Sequence, residues 1–131
     1  MSVQAVAKGV SMSPRKISAV AALVRGRTVA DALVILDHTP RRAAIPMSKA
    51  IASARANAEH NHDYNPSTLK IVELTIGTGP SLKRFRPISR GRAHPYLKRT
   101  SHIRVVVDGE KRVKKTAATA KPAAAAKKET K

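Results

Sequence analysis

The chain has 131 residues, a length that fits one domain and disfavours a two-domain enzyme with a cleft between its domains. Its 26 Lys and Arg residues stand against 8 Asp and Glu residues, and the formal net charge of +18 predicts a polyanionic partner such as nucleic acid or an anionic membrane. The lack of cysteine excludes disulfides and thiolate metal sites, and no apolar run approaches the ~20 residues that span a bilayer.

The N-terminal segment predicts a short strand and then a helix. Val3–Val10 alternates weakly between apolar and polar residues, which favours an edge strand, and it lacks the charged start and apolar run of a signal peptide. We therefore expect a cytoplasmic protein. Ser13-Pro14 is a typical helix start, in which the serine accepts a hydrogen bond from an early backbone N–H, and Gly26 predicts a left-handed stop. The apolar residues at helical spacing between them are Ile17, Val20, Ala21 and Val24.

A second helix is predicted from Thr28, which forms a capping-box pattern with Asp31 and starts a helix that extends to Asp37. Its inner face is expected to carry Val29, Ala32, Leu33 and Leu36. This helix has no basic residue and two aspartates, the wrong charge for a recognition helix in the DNA major groove. Shape recognition of folded RNA fits the chain better.

A third helix is predicted to start at Thr39-Pro40, which repeats the Ser-Pro type of start signal, and to run to about Asn61. Pro46 conflicts with a helix interior, so either the helix begins near Ile45 or its first turns are kinked. The apolar stripe expected on this helix consists of Ile45, Ile51, Ala54 and Ala58.

Two segments later in the chain predict paired strands. Leu69–Ile76 is rich in β-forming residues, and Ser101–Asp108 contains Ile103, Val105 and Val107 in alternation. The predicted fold class is therefore α+β, with three helices packed on a small antiparallel sheet.

The connection between these two strands is predicted to be a long extended basic β-hairpin arm. Its roughly 25 residues contain three prolines and no apolar pattern that could form a second core. The simplest path turns near Arg90-Gly91 and reaches on the order of 35 Å from the domain. Gly77–Pro80 is expected to be a bend at the base of the arm, because no Gly-Lys-Ser/Thr follows it as in a phosphate-binding loop.

These expectations divide the chain into two parts. One RNA-binding domain spans residues 1–110 and includes the hairpin arm at about 77–101. Residues 111–131 are rich in Lys and Ala with almost no strong apolar residue, which predicts a disordered basic tail.

The arm region concentrates positive charge without any acid. Residues 74–107 contain eight basic and no acidic residues, namely Lys83, Arg84, Arg86, Arg90, Arg92, Lys98, Arg99 and Arg104. Among phosphates each cation releases counterions, and each arginine can bind two oxygens at once. The excess of Arg over Lys favours phosphate contact over the alternative of a solvated charged loop, so the arm is expected to be mobile alone and ordered in a complex.

Other chemistry finds little support. His60, His62 and Asp63 are better explained as a polar helix end than as a metal site, and no nucleophile elbow or paired carboxylates indicate a catalytic centre. No cofactor and no small-molecule substrate are implied. The alternatives are an architectural DNA-binding protein, a membrane-surface peptide and a small hydrolase; the second lacks bulky apolar anchors and the third lacks a pocket.

Several collinear motifs give the chain a resemblance to the bacterial large ribosomal subunit protein 22 family, also called universal ribosomal protein 22, over about residues 5–108. They are Ser-Pro-Arg-Lys at 13–16, Val-Arg-Gly-Arg at 24–27, Asp-Ala-Leu at 31–33, Ser-Ala-Arg-Ala-Asn-Ala-Glu-His-Asn at 53–61, Gly-Pro-Ser-Leu-Lys-Arg at 79–84, Gly-Arg-Ala at 91–93 and Lys-Arg-Thr-Ser-His-Ile at 98–103. At the tip, Ile88 stands where this family usually has a cation.

The resemblance implies a structural protein without enzymatic activity that binds 23S rRNA, supports assembly of the large ribosomal subunit and lines the nascent-peptide exit tunnel with its arm. Its implied partners are 23S rRNA, neighbouring large-subunit ribosomal proteins and the nascent polypeptide, and no membrane. The residues implied to bind rRNA are Arg15, Lys16, Arg25, Lys83, Arg84, Arg86, Arg90, Arg92, Lys98, Arg99 and His102. The tip implied to face the tunnel consists of Ile88, Ser89, Arg90, Gly91 and Arg92.

Overall fold

The computed structural model describes residues 2–112, in which three helices cover one face of a three-stranded antiparallel sheet. The elements in chain order are β1 (Val3–Val10), α1 (Pro14–Val24), α2 (Val29–His38), α3 (Ala44–His62), β2 (Lys70–Pro87) and β3 (Ala93–Asp108). The strands lie in the order β1-β3-β2, so β3 is central and pairs antiparallel with both neighbours. The predicted α+β architecture is confirmed.

The core lies between the helices and alternate residues of β3. Ile103, Val105 and Val107 are completely buried, as expected where a strand turns every second side chain toward a covering layer. They contact a core that also contains Ile17 from α1 and Ile51 from α3. Burial of each large aliphatic side chain contributes about 1.5–3 kcal/mol, which makes this small core the main source of stability.

The limits of α1 confirm the predicted start and stop, but not the predicted cap. The helix begins at Pro14, its four predicted apolar residues are buried, and Gly26 has a left-handed φ of 73°. The Ser13 side chain, however, makes no capping hydrogen bond. Its backbone carbonyl instead accepts from the N–H of Lys16 at 3.1 Å, so the start of α1 depends on proline and backbone geometry.

The predicted cap of α2 is confirmed. The Asp31 backbone N–H donates to Thr28 Oγ1 at 3.2 Å, and the Thr28 hydroxyl donates to Asp31 Oδ2 at 2.7 Å. Three of the four predicted inner residues are buried, and Leu33 is half-buried.

The predicted start of α3 at Thr39-Pro40 is wrong, because the helix begins at Ala44. The Thr39 hydroxyl donates to the carbonyl of Ile35 at 2.6 Å, so this residue closes α2 and does not open α3. The alternative of a start near Ile45 is correct, and it places Pro46 in the first turn, where no N–H has an intrahelical partner. Ile45 is itself 58% exposed, so its predicted place in the apolar stripe is also wrong.

Met47 takes the buried position that Ile45 was expected to hold, and it is completely inaccessible to solvent. At its other end α3 has the predicted polar terminus: Asp63 adopts a left-handed φ of 54°, and the Tyr64 N–H donates to Ala58 O at 3.0 Å. In residues 2–112 no three His, Cys, Asp or Glu side chains form a group that could hold a metal ion.

The described chain ends beside this helix terminus. The Arg112 N–H donates to Asp63 O at 2.7 Å, and the Asn65 N–H donates to Glu110 O at 2.9 Å. Of the tail expected over 111–131, only Lys111 and Arg112 are among the described residues, and Lys111 forms a bridge with Tyr64. The remainder of that prediction lies outside the described residues.

β2 and β3 both continue beyond the sheet and pair with each other as a long hairpin, which confirms the predicted β-hairpin arm. The register slips by one residue at Val72 and again between Thr78 and Ser81. The second slip falls at Gly79-Pro80, in the segment expected to bend, and β2 continues through it as a strand. We therefore define the arm as residues 81–99. From Ser81↔Arg99 to Pro87↔Ala93 its pairing is regular.

Candidate nucleic-acid interface

The turn of the arm fixes which residue pairs are hydrogen-bonded. The Ile88 N–H donates to Arg92 O at 2.8 Å, which makes this a hydrogen-bonded pair. Because such pairs alternate with non-hydrogen-bonded pairs, Phe85↔Pro95 and Pro87↔Ala93 are of the second kind. Both prolines thus stand where an N–H would point away from the hairpin, and neither disrupts the pairing.

The arm has two faces that can be followed out from the core along β3. Within the sheet, the alternate β3 residues Ile103, Val105 and Val107 are buried under the helices. The face of the arm on the same side is here called the helix-side face. Its members on β3 are Ala93, Pro95, Leu97 and Arg99, and their partners on β2 are Pro87, Phe85, Lys83 and Ser81. The opposite face, here called the open face, carries the intervening residues.

The open face is the more strongly cationic of the two. Its pairs are Leu82↔Lys98, Arg84↔Tyr96 and Arg86↔His94. The Arg86 guanidinium carbon lies 5.1 Å from the centroid of the Tyr96 ring, a cation–π contact between diagonal neighbours. Arg84 Nη1 donates to the backbone carbonyl of Lys83 at 2.8 Å. Within residues 2–112 no carboxylate pairs with any cation of the arm, so this charge is available to an external anion.

The tip is a tight exposed turn. Arg90 and Gly91 have φ values of 62° and 67°, so two successive residues adopt the left-handed conformation at the predicted turning point. All five residues predicted to face a tunnel are exposed, and Ile88 presents an apolar side chain that is 51% accessible.

A cleft of about 840 Å³ lies at the base of the arm, between it, the start of α1 and the loop that joins α2 to α3. Five cations line this cleft: Lys16, Arg41, Arg42, Lys98 and Arg99. It thereby joins predicted site residues that are more than eighty positions apart in sequence. The concentration of positive charge in a concave surface raises the local potential and suits the binding of phosphates.

The other predicted residues of the globular part lie on a second, shallower surface. Arg15 and Arg25 line a groove of about 680 Å³ between α1 and β2. Arg25 Nε donates to the Leu74 carbonyl at 3.2 Å, which holds this side chain against β2. These two arginines are therefore separate from the cleft that contains Lys16.

His102 is held by the sheet. Its Nδ1 accepts the Gly9 N–H at 3.0 Å across the irregular part of the β1–β3 pairing, which leaves Nε2 for an outside partner. Next to it, the hydroxyl of Ser101 is buried without a hydrogen-bond partner in residues 2–112.

Arg41 and Arg42 are the functional candidates that the sequence analysis missed. They follow Pro40 in a segment that was assigned to a helix, and their only sequence signal was two adjacent arginines after a proline. The true helix start at Ala44 leaves them in a loop beside the arm.

None of the helices formed by residues 2–112 combines the length and the apolar character needed to cross a membrane.

Comparison with known proteins agrees with this arrangement. Residues 5–108 match the family described as ribosomal protein L22p/L17e. One relative is the large ribosomal subunit protein uL22 of Desulfitobacterium hafniense, which is 49% identical over 104 residues that cover 79% of this chain and 91% of the relative. The family match contains every helix and strand of the fold except the first two residues of β1.

Proposed function

Since the chain belongs to the ribosomal protein L22p/L17e family and is a structural protein of the large ribosomal subunit, we propose that it binds 23S rRNA, supports assembly of the subunit and lines the nascent-peptide exit tunnel with the tip of its arm. Proteins of this family are not enzymes, and their partners are rRNA and other ribosomal proteins. The residues that we propose to bind rRNA are Arg15, Lys16, Arg25, Lys83, Arg84, Arg86, Arg90, Arg92, Lys98, Arg99 and His102, now joined by Arg41 and Arg42.

The observation that carries the proposal is the unneutralised charge of the arm. Neighbouring strands hold its cations close together, and no carboxylate of residues 2–112 pairs with them. In water these charges repel each other, whereas on a nucleic acid each of them displaces condensed counterions and gains entropy. Phosphates around the arm therefore stabilise it by neutralising this repulsion.

The cleft extends this interface into the globular part of the protein. Its cations come from α1, from the α2–α3 loop and from β3, so they are held on three separate elements around one concavity. A folded RNA with a sharp backbone bend presents several phosphates to one such surface. The cleft and the arm together let the protein hold RNA segments that are distant from one another, which is how a structural protein supports assembly.

The dimensions of the arm support a role for its tip in the tunnel. Nine residues from Ser81 to Ser89 rise on the order of 30 Å at about 3.4 Å each. A tip at that distance reaches a site far from the surface where the body binds. Its exposed residues combine Ile88 with Arg90 and Arg92, which suits a wall that meets both nascent chain and RNA.

Charge reversal at the tip tests rRNA binding and assembly. The variant carries Arg90→Glu and Arg92→Glu, and the control carries Lys49→Glu and Lys70→Glu, the same change of charge at exposed positions outside the arm and the cleft. In sucrose gradients after a high-salt wash, we expect wild type and control to stay with the large subunit and the tip variant to be lost. Equal retention of both variants would contradict the proposal.

A single cysteine tests the tunnel assignment, because the natural chain has none. We expect Ser89→Cys at the tip to cross-link to a stalled nascent chain that carries a thiol-reactive group. Ser67→Cys, in the exposed loop before β2, is the matched control and should remain unlinked. Cross-linking at both positions or at neither would remove the support for a tunnel-lining tip.

A further inference from the structure

Phe85 is the most exposed large apolar side chain of residues 2–112, at 71%, and it lies on the helix-side face of the arm opposite Pro95. We propose that Phe85 stacks on an unpaired base of the rRNA. The RNA segment that contains this base also places its phosphates in the cleft at the base of the arm. This inference rests on the proposed function and deepens it, because it assigns a base contact where the function requires only phosphate contacts.

Beyond the point where the helices stop covering it, the helix-side face carries an exposed apolar patch next to two cations. The patch includes Leu97, which is 46% exposed, Pro95 and Phe85, and the cations are Arg99 and Lys83. A two-stranded hairpin with no layer against it is at best marginally stable in water. A partner must therefore cover this face in the assembled state.

The charges around Phe85 favour RNA as that partner. Lys83 precedes it by two residues on the same face, and Arg99 ends this face at the cleft. A nucleotide offers an aromatic base to the ring and a phosphate to the neighbouring cations at the same time. An apolar protein segment would cover the ring but would leave both cations without an opposing charge.

The path from the cleft to Phe85 is short and continuous. Pro95, the partner of Phe85, lies four residues from Arg99 on β3, which corresponds to about 13 Å along the strand. Leu97 lines the cleft and lies between them on the same face. A single RNA strand can leave the cleft along this face without crossing the arm.

Tyr96 does not offer an equivalent surface. It lies on the open face, it is only 38% exposed, and its ring is already in contact with the Arg86 guanidinium. Within residues 2–112 the ring of Phe85 has no such contact. The free aromatic surface of the arm is thus on the helix-side face.

The test compares Phe85→Leu, which keeps an apolar side chain but removes the ring, with Phe85→Tyr, which keeps the ring. The control is Leu82→Ala, because Leu82 lies on the open face and is 47% exposed. This variant also loses apolar surface of the arm, but at a position away from Phe85. Affinity of the full chain for 23S rRNA transcribed in vitro is measured at several salt concentrations. We expect Phe85→Leu to bind about tenfold more weakly with an unchanged salt dependence, because stacking releases no counterions. The other two variants should bind within about twofold of wild type.

Two results would overturn the inference: Phe85→Leu binding within twofold of wild type, or Phe85→Tyr binding as weakly as Phe85→Leu. If Phe85→Leu binds free rRNA normally but fails to enter large subunits, a ribosomal protein covers this face and the base contact is wrong. Failure of the wild-type chain to bind the rRNA would instead refute the proposed function itself. Since Phe85 is largely exposed, thermal unfolding followed by circular dichroism should be unchanged in all variants.

Discussion

Gly79 controls how the arm leaves the sheet, and its replacement by alanine is the most direct test of that geometry. A Cβ at this position would lie 2.5 Å from Thr100 Oγ1 and 3.1 and 3.2 Å from the backbone of Thr100 and Ser101. The Thr100 hydroxyl is itself held, because it donates to Pro80 O at 2.7 Å. The hydrogen-bonded Thr100 side chain is short, and backbone atoms lie directly behind it, so it cannot move aside. The β-bulge at Gly79 must therefore shift to make room for the Cβ.

Overpacking of this kind costs about 1–3 kcal/mol. We therefore expect Gly79→Ala to lower the free energy of unfolding by that amount in urea denaturation, and to lower the melting temperature by several degrees. It should also weaken rRNA binding, because a shifted bulge redirects the arm. Gly77→Ala is the matched control, since its Cβ would meet only His102 Cβ, at an ordinary 3.8 Å.

Neither of these glycines has a positive φ, so alanine strains the backbone at neither position. The two substitutions differ only in the room available for the new Cβ. Gly77→Ala should be neutral or stabilising by up to about 1 kcal/mol, because alanine restricts the unfolded chain. If Gly79→Ala and Gly77→Ala unfold within about 0.5 kcal/mol of each other, the close approach at the base of the arm does not constrain the protein and the reasoning fails.

Three further predictions concern the body and the cleft. Thr28→Ala should cost about 1 kcal/mol in urea denaturation through loss of the α2 cap, while Ser13→Ala, whose side chain caps nothing, should cost almost nothing; equal losses would contradict the assigned caps. Ile51→Ala should cost about 2–5 kcal/mol and Ile45→Ala less than about 0.5, and the reverse order would mean that α3 faces the core differently. Arg42→Gln should weaken rRNA binding and reduce the slope of log K against log salt by about 0.7–0.9, whereas an unchanged slope would place no phosphate at this arginine.

The elements that the sequence predicted best are those fixed by neighbouring residues. The cap of α2 depends on Thr28 and Asp31, which are three residues apart, and α1 ends just before Gly26, whose φ is left-handed. The turn at Arg90-Gly91 was likewise predicted from its glycine and its central place between two strands. In each case the physical cause is contained within one turn of the chain.

Some features escaped prediction because two local signals competed, and others because they depend on residues brought together by the fold. Thr39 had a typical start signal, but the end of α2 lies close enough for its hydroxyl to bond back to Ile35 instead. Ile45 lies six residues before Ile51 and therefore on another face of the helix, whereas Met47 lies four residues before Ile51 and shares its buried face. The cleft required the α2–α3 loop to approach the base of the arm, and no local pattern around Arg42 encodes that approach.

The arm was predicted correctly, but its strands carry no apolar signal of their own. A strand in a sheet is recognised by apolar alternation, but β2 beyond Ile76 has no core to face and is held by its ladder to β3 and by the bulge at Gly79. Its residues instead show a pattern of positive charge, as the proposed contact with phosphates requires. The arm was therefore predicted from its charge and its missing core and not from strand propensity.

A hairpin with two open edges invites pairing with another strand, and the arm carries its own protection against this. Pro87 on β2 and Pro95 on β3 occupy non-hydrogen-bonded pairs, where an N–H would point outward to a new strand. Each proline therefore removes an outward donor, one on each edge, and the surrounding cations repel a second copy of the same arm. Phosphates are not subject to either barrier, because they require neither a strand edge nor a neutral surface. The same residues that keep the arm from associating with itself thus leave it open to RNA.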